Sequence, residues 1–232
     1  MIIDRIRVAE AVAPRDQWPF TVPAVAALIG EGLAFDEQIT FLVGENGSGK
    51  STVVEALAES YGLDVRGGPN QRYGSELPKS KLGEVLQIDR GAGGSRMVKR
   101  AVGFFLRAET ALDVFDGLSR FDRPEFNEAS HVESFLAAFE GFGEKGVYVL
   151  DEPEAALSFT ACLSLMATLH EARAAGSQVV CATHSPILTA LPGAAIIEFG
   201  DHGVRRSAWA DLEVVRHWQR FLGDPERYLR YL

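Results

Sequence analysis

Apolar runs of five or six residues recur along this 232-residue chain, and amphipathic stretches separate several of them. Ile39-Thr40-Phe41-Leu42-Val43, Val102-Gly103-Phe104-Phe105-Leu106 and Gln178-Val179-Val180-Cys181-Ala182 each predict a buried strand. Gly146-Val147-Tyr148-Val149-Leu150 has too few polar positions to face water on either side, and Ala194 to Phe199 adds a further strand. Residues 53–60 and 158–175 predict helices. In the second, Leu163, Met166, Leu169 and Ala172 fall on helical spacing and Gly176 stops the run. Residues 109–118 and 134–142 predict two more. Near the start, residues 2–8 predict a strand, followed by a Pro-rich stretch and a short Ala/Leu helix. The tail, 211–232, reads as helical, broken at Gly223-Asp224-Pro225. Only residues 62–101 lack a clear pattern. Strands alternating with helices predict an α/β fold, a mainly parallel sheet flanked by helices. One domain over 1–232 is expected, with a helical and irregular insertion at about 62–135.

Composition narrows the class without naming a function. Apolar residues make up 47% and charged ones 24%, ordinary for a globular chain with a sizeable core. No apolar run approaches a membrane span, and the start has no secretory apolar region, so a cytoplasmic protein is expected. Cys162 and Cys181 sit in apolar surroundings without metal-ligand spacing and are expected to be core thiols. The net charge of −9 opposes indiscriminate nucleic-acid binding. Residues 66–100 nevertheless hold eight Lys/Arg against three acids. The segment is either a solvated Gly-rich excursion or a surface for nucleic acid or an acidic protein partner.

Three clusters carry chemistry. After the strand at 39–43 comes Gly44-Glu45-Asn46-Gly47-Ser48-Gly49-Lys50-Ser51-Thr52, which fits G-x-x-x-x-G-K-S/T, with a helix following. Glycines let backbone N–H groups converge on phosphate, and the helix adds its positive end. Lys50 is then placed for the β and γ phosphates, and the Ser51 hydroxyl for Mg²⁺. Roughly a hundred residues on, the strand at 146–150 ends in Asp151-Glu152-Pro153-Glu154. A strand C-terminus in an open parallel sheet is where ligands sit. There Asp151 is suited to hold Mg²⁺ and Glu152 to polarise an attacking water. The plainer alternative is a solvated acidic turn. The strand at 178–182 ends in Thr183-His184-Ser185-Pro186, repeating that geometry. His184 can bond the γ-phosphate or the water, where a lone His at a strand end would ordinarily be a capping or core residue.

GENGSGKST, VYVLDEPEAAL and CATHSP, in that order, resemble the ABC-type ATPase fold of the P-loop NTPases. The likeness is nearest to the small bacterial ATPases labelled AAA, and extends to the ATPase heads of the SMC and RecF group. Trp18 to Pro23 and Pro225 to Leu229 resemble that small bacterial branch too, and only residues 62–100 fit weakly. The resemblance implies ATP and Mg²⁺ as ligands. It also implies a head-to-tail homodimer with two nucleotides sandwiched between the protomers. Ser130, in Ser130-His131-Val132-Glu133-Ser134, would then contact the partner's γ-phosphate. Here the chain departs from the family, which has Gly where this chain has Val132, a β-branched residue ill suited to positive φ or close backbone approach. The glutamine expected after Leu106 is also replaced, by Arg107-Ala108-Glu109, so that Glu109 stands as a metal-side oxygen and Arg107 as a phosphate contact, or the stretch is a surface salt-bridging turn. Residues 154–158 fit the segment that crosses to the partner, or simply a helix start capped by Ser158.

Four functions compete. An ATPase working as an ATP-closed dimer uses all three clusters. A nucleotide-controlled switch with little turnover is favoured by Val132, and opposed by the intact Asp151, Glu152 and His184. A transporter ATP-binding subunit fits the chain length but not the altered signature and post-Leu106 residues. A DNA-maintenance ATPase rests on the basic segment alone. Trp18 and Phe20 are aromatic candidates for the base, both expected to pack against the sheet instead.

Overall fold

A computed structural model describes residues 1–65, 67–69, 79–92, 102–107, 145–200 and 203–230. Ser130, Val132, Glu109, the helices expected at 109–118 and 134–142, and five of the eight basic residues between 66 and 100 lie outside the described residues.

Strand β1 (Ile3–Val8) leads through a four-residue helix α1 (Pro23–Ala26) and a short β2 (Leu33–Ala34) to β3 (Ile39–Gly44) and α2 (Lys50–Tyr61). Next come β4 (Gly68–Pro69), α3 (Lys81–Val85), β5 (Leu86–Arg90), β6 (Gly103–Arg107) and β7 (Val147–Asp151). Helix α4 (Phe159–Ala174), β8 (Gln178–Thr183), β9 (Ala195–Gly200), β10 (Gly203–Arg206), α5 (Glu213–Gly223) and α6 (Glu226–Leu229) complete the order. Seven strands form one sheet in the order β10-β9-β3-β8-β7-β6-β4. Its five central strands run parallel, and β10 and β4 are antiparallel edges.

The parallel strands are buried on both faces because their alternating side chains feed two cores. From β3, Leu42 points to α2 and meets Val53, Val54 and Leu57. Ile39, Phe41 and Val43 point the other way, to Cys162, Leu165 and Leu169 of α4. Of the four apolar positions that the sequence pattern marks on α4, Leu169 and Ala172 are buried and Met166 packs against the core, and Leu163 does not. Leu163 is 45% exposed, and the buried residues are Ala161, Cys162, Leu165, Leu169 and Ala172. Ser158 does cap this helix, accepting a hydrogen bond from the Ala161 N–H, and Gly176 ends it at φ +83°. Cys162 and Cys181 are buried free thiols, pushed up in pKa mainly by desolvation.

A second, antiparallel sheet, β2-β1-β5, was not anticipated. β5 comes from the stretch without a clear pattern. Ile3, Ile6 and Leu86 of this sheet pack in the same core as α2. Gln178 at the start of β8 joins the two sheets. Its side-chain oxygen accepts from Ile2 N–H and Ile3 N–H at 3.0 and 2.8 Å, and its amide nitrogen donates to Ile3 O at 2.9 Å. The result is a fixed frame in which β3, β7 and β8 end side by side.

Candidate functional site

The loop after β3 turns tightly enough to leave its amides facing one hollow. Gly47 has φ +81° and Gly49 φ +94°, a region that costs side chains roughly 1–2 kcal/mol. At Gly49 space excludes a side chain as well, since a Cβ would lie 2.5 Å from Val22 Cγ1. Helix α2 starts at Lys50, three residues earlier than the apolar pattern suggested, so its first amides open directly onto the loop. Lys50 is 3% exposed, and its ammonium is folded into the loop. It donates to Gly44 O at 2.8 Å and Glu45 O at 3.0 Å. Burial lowers its pKa, while Glu152, Asp151 and Glu154 pull it back up. A partly desolvated cation curled on loop carbonyls has its strongest available partner in an anion at the loop's centre.

Ser51 Oγ donates to Asp151 Oδ1 at 2.9 Å, so the two oxygens assigned to the metal are neighbours although a hundred residues separate them. Mg²⁺ takes six oxygens at roughly 2.0–2.1 Å, which puts adjacent ligands about 2.9 Å apart. The pair therefore fits one edge of such a shell, with phosphate and water left to complete it. Asp151 is nearly inaccessible, and desolvation raises its pKa from 3.8 to about 6, against the opposing Ser51 hydrogen bond and the Arg107 charge. A buried carboxylate this uncomfortable gains from a cation. Arg107, at the end of β6, pairs with Glu55 and comes within 4.0 Å of Asp151 Oδ2. It thus braces the carboxylates, in keeping with the salt-bridging reading of this turn.

Glu152 follows with φ +49°, and among the described residues no other non-glycine has positive φ. Its amide donates to Ala182 O at 2.9 Å, which locks the turn against β8. Strain of this kind gathers where a side chain must be aimed. The aim here is toward β8's end: Glu152 Oε1 lies 3.2 Å from His184 Nε2. That nitrogen is buried and makes no hydrogen bond among the described residues.

Two hollows flank the loop. One of about 250 Å³ is lined by Gly49, Lys50, Ser51, Thr52 and Glu152. Trp18 forms its wall and is 64% exposed, so it does not pack against the sheet as expected. Phe20 does, at 3% exposed. The other, about 580 Å³, runs from Gly44 to Ser48 past His184 to Phe199 and His217. The structure thus brings Gly44, Glu45, Asn46, Gly47, Ser48, Gly49, Lys50, Ser51, Thr52, Asp151, Glu152 and His184 to one place. Ser130 lies outside the described residues. Sequence reasoning overlooked Glu154 as part of this cluster; its only sequence signal was a second carboxylate beyond Pro153.

The parallel sheet, the glycine loop between β3 and α2, and the carboxylate at the end of β7 define an α/β fold of the P-loop NTPase kind. No protein-family model matches the sequence, and no curated protein matches it. Among solved structures the chain is similar to an inward-facing putative metal-chelate type ABC transporter, at 15% identity over 78% of this chain and 76% of that one, with a TM-score of 0.45. It is similar also to a dimeric post-hydrolysis ATP-binding cassette bound to ADP and Pi, at 17% identity over 78% of this chain and 90% of that one, again with a TM-score of 0.45. Among the described residues no helix is long and apolar enough to cross a membrane.

Proposed function

We propose that this chain binds ATP with Mg²⁺ and hydrolyses it as an ABC-type ATPase that closes as a head-to-tail homodimer. One observation carries the reading: Glu152 and His184 meet at 3.2 Å beside the loop, next to the Ser51–Asp151 pair. A site that only held nucleotide would need the grip but not this acid–imidazole contact. Lys50 and the loop amides hold the phosphates; Ser51 and Asp151 hold the metal, whose contribution is charge neutralisation on the phosphates. Glu152 orients and polarises a water, and His184 steadies the γ-phosphate. Trp18 offers an exposed ring face for the base at the far side of Thr52. Ser130 would complete the partner's site.

The test is steady-state ATP hydrolysis against protein concentration, with Lys50→Ala and Glu152→Gln beside the native chain. Specific activity should climb with concentration; Lys50→Ala should lose binding, and Glu152→Gln should bind yet lose turnover at least about a hundredfold. Native turnover no higher than that of Glu152→Gln, with ATP still bound, would replace hydrolysis by the second reading. That reading is a nucleotide-controlled switch, and Val132 in the signature segment favours it.

A further inference from the structure

Glu154 has no part in gripping phosphate or metal, yet it is the most tightly engaged carboxylate of its turn. It sits in the 3₁₀ turn Pro153–Ala156 that follows β7. Its Oε1 accepts from Thr183 Oγ1 at 2.6 Å and from the His184 N–H at 2.6 Å. The hydroxyl bond has the ordinary length for one to a carboxylate, and the amide bond is short even for that. The effect propagates along the loop. Thr183 Oγ1 in turn accepts from Ser185 N–H at 2.9 Å, and Ser185 Oγ accepts from the amides of Ile187 and Leu188, each at 3.2 Å. His184 is therefore met twice from the chain after β7: its backbone is held by Glu154, and its ring lies beside Glu152, the residue that precedes the turn. Backbone pairing of Glu152 N–H with Ala182 O closes the same unit. Moving the acidic turn without the histidine would break these contacts together.

We infer that Glu154 is a positioning residue that ties the acidic turn after β7 to the loop after β8, so that Glu152 and His184 present themselves to the nucleotide as one rigid pair. The inference rests on the hydrolase reading above for its kinetic consequence, though not for its structural one. Because Glu154 acts through His184, its loss should fall on turnover and leave ATP affinity alone.

The experiment is a double-mutant cycle with Glu154→Leu and His184→Ala, with Tm recorded for each variant. Glu154→Leu should lower kcat roughly 10- to 100-fold with KM within about twofold. Adding Glu154→Leu to His184→Ala should cost less than about twofold more. Glu154→Gln keeps an acceptor oxygen and should recover most of the turnover. Thr183→Val, which removes one of the two donors, should show the same kcat-selective loss if Glu154→Leu proves too unstable to purify. Hydrogen exchange of the His184 amide in the nucleotide-free protein should accelerate in Glu154→Leu. Losses that multiply in the double variant, or an unchanged exchange rate, would overturn the inference. If the native chain turned over no ATP, the hydrolase reading would fail by itself, and the exchange rate would still decide whether Glu154 holds the loop.

Discussion

Asp151 shows at a single residue how a site can be built at the expense of the fold. Its pKa rises from 3.8 to about 6, so between these values the folded chain binds more protons than the unfolded one. The sign follows: Asp151's contribution to the stability of the nucleotide-free protein is full below about pH 4 and is lost as pH rises through about 6. The full shift corresponds to roughly 3 kcal/mol above that window. Asp151→Asn should therefore be more stable than the native chain at pH 8 without Mg²⁺ or nucleotide, by about 1–3 kcal/mol in urea titrations. The advantage should vanish at pH 4, and Mg-ATP should stabilise the native chain more than the variant. An advantage that persisted unchanged at pH 4 would mean that ionisation is not its cause. Trp18 carries a second prediction at this scale. An indole that is 64% exposed beside the glycine loop buries little in the fold, so Trp18→Ala should leave Tm nearly unchanged. It should weaken ATP binding roughly 5- to 100-fold by fluorescence titration, the range for one base–aromatic stack. Equal affinity in the two proteins would remove Trp18 from the base site.

At the level of elements, the junction between the two sheets depends on one polar side chain. Gln178 makes three hydrogen bonds to Ile2 and Ile3, where β1 begins, from inside the core, and it is 1% exposed. Gln178→Leu should cost about 3 kcal/mol or more in chemical denaturation, because buried backbone groups lose their partners. ATP affinity of the folded variant should stay near native, since Gln178 pairs beside the start of β3 while the glycine loop leaves its far end after Gly44; a large loss of affinity would show the sheets to be coupled. The same junction marks where sequence reading stops. Runs such as Val147–Asp151 announced themselves because five consecutive residues are buried, and a strand covered on both faces must be apolar throughout. β5 did not: in Leu86-Gln87-Ile88-Asp89-Arg90 only Leu86 is fully buried, and its pairing with β1 is a contact across the chain that no local pattern encodes. In α4 the helical spacing marked Met166, Leu169 and Ala172 correctly, and only docking against the sheet turns Leu163 outward and Cys162 and Leu165 inward. The loop and its carboxylates were legible because fixed spacing carries their chemistry. Glu154 and Trp18 were not, for neither residue type declares what it will face.

For the molecule as a whole, the open groove beside Gly44 to Ser48 and His184 would leave the γ-phosphate of the proposed ATP accessible to water from one side. Hydrolysis by a fixed nucleophilic water calls for that side to be covered. A second copy is the occupant proposed above, and the charge balance makes a distinctive demand on it. Each chain carries −9, so two copies repel unless salt screens them or ATP-bound contacts outweigh the repulsion. Glu152→Gln, able to bind ATP but not to spend it, should therefore sediment as a dimer with Mg-ATP and as a monomer with EDTA. Its dimer should tighten as salt rises from about 10 to 150 mM, because the Debye length shrinks from roughly 30 to 8 Å over that range. Were the dimer held mainly by attraction between the basic stretch and acidic faces, salt would weaken it instead. A chain that stayed monomeric with saturating Mg-ATP at every salt concentration would rule out assembly from two copies, and the groove would then need a different protein to close it.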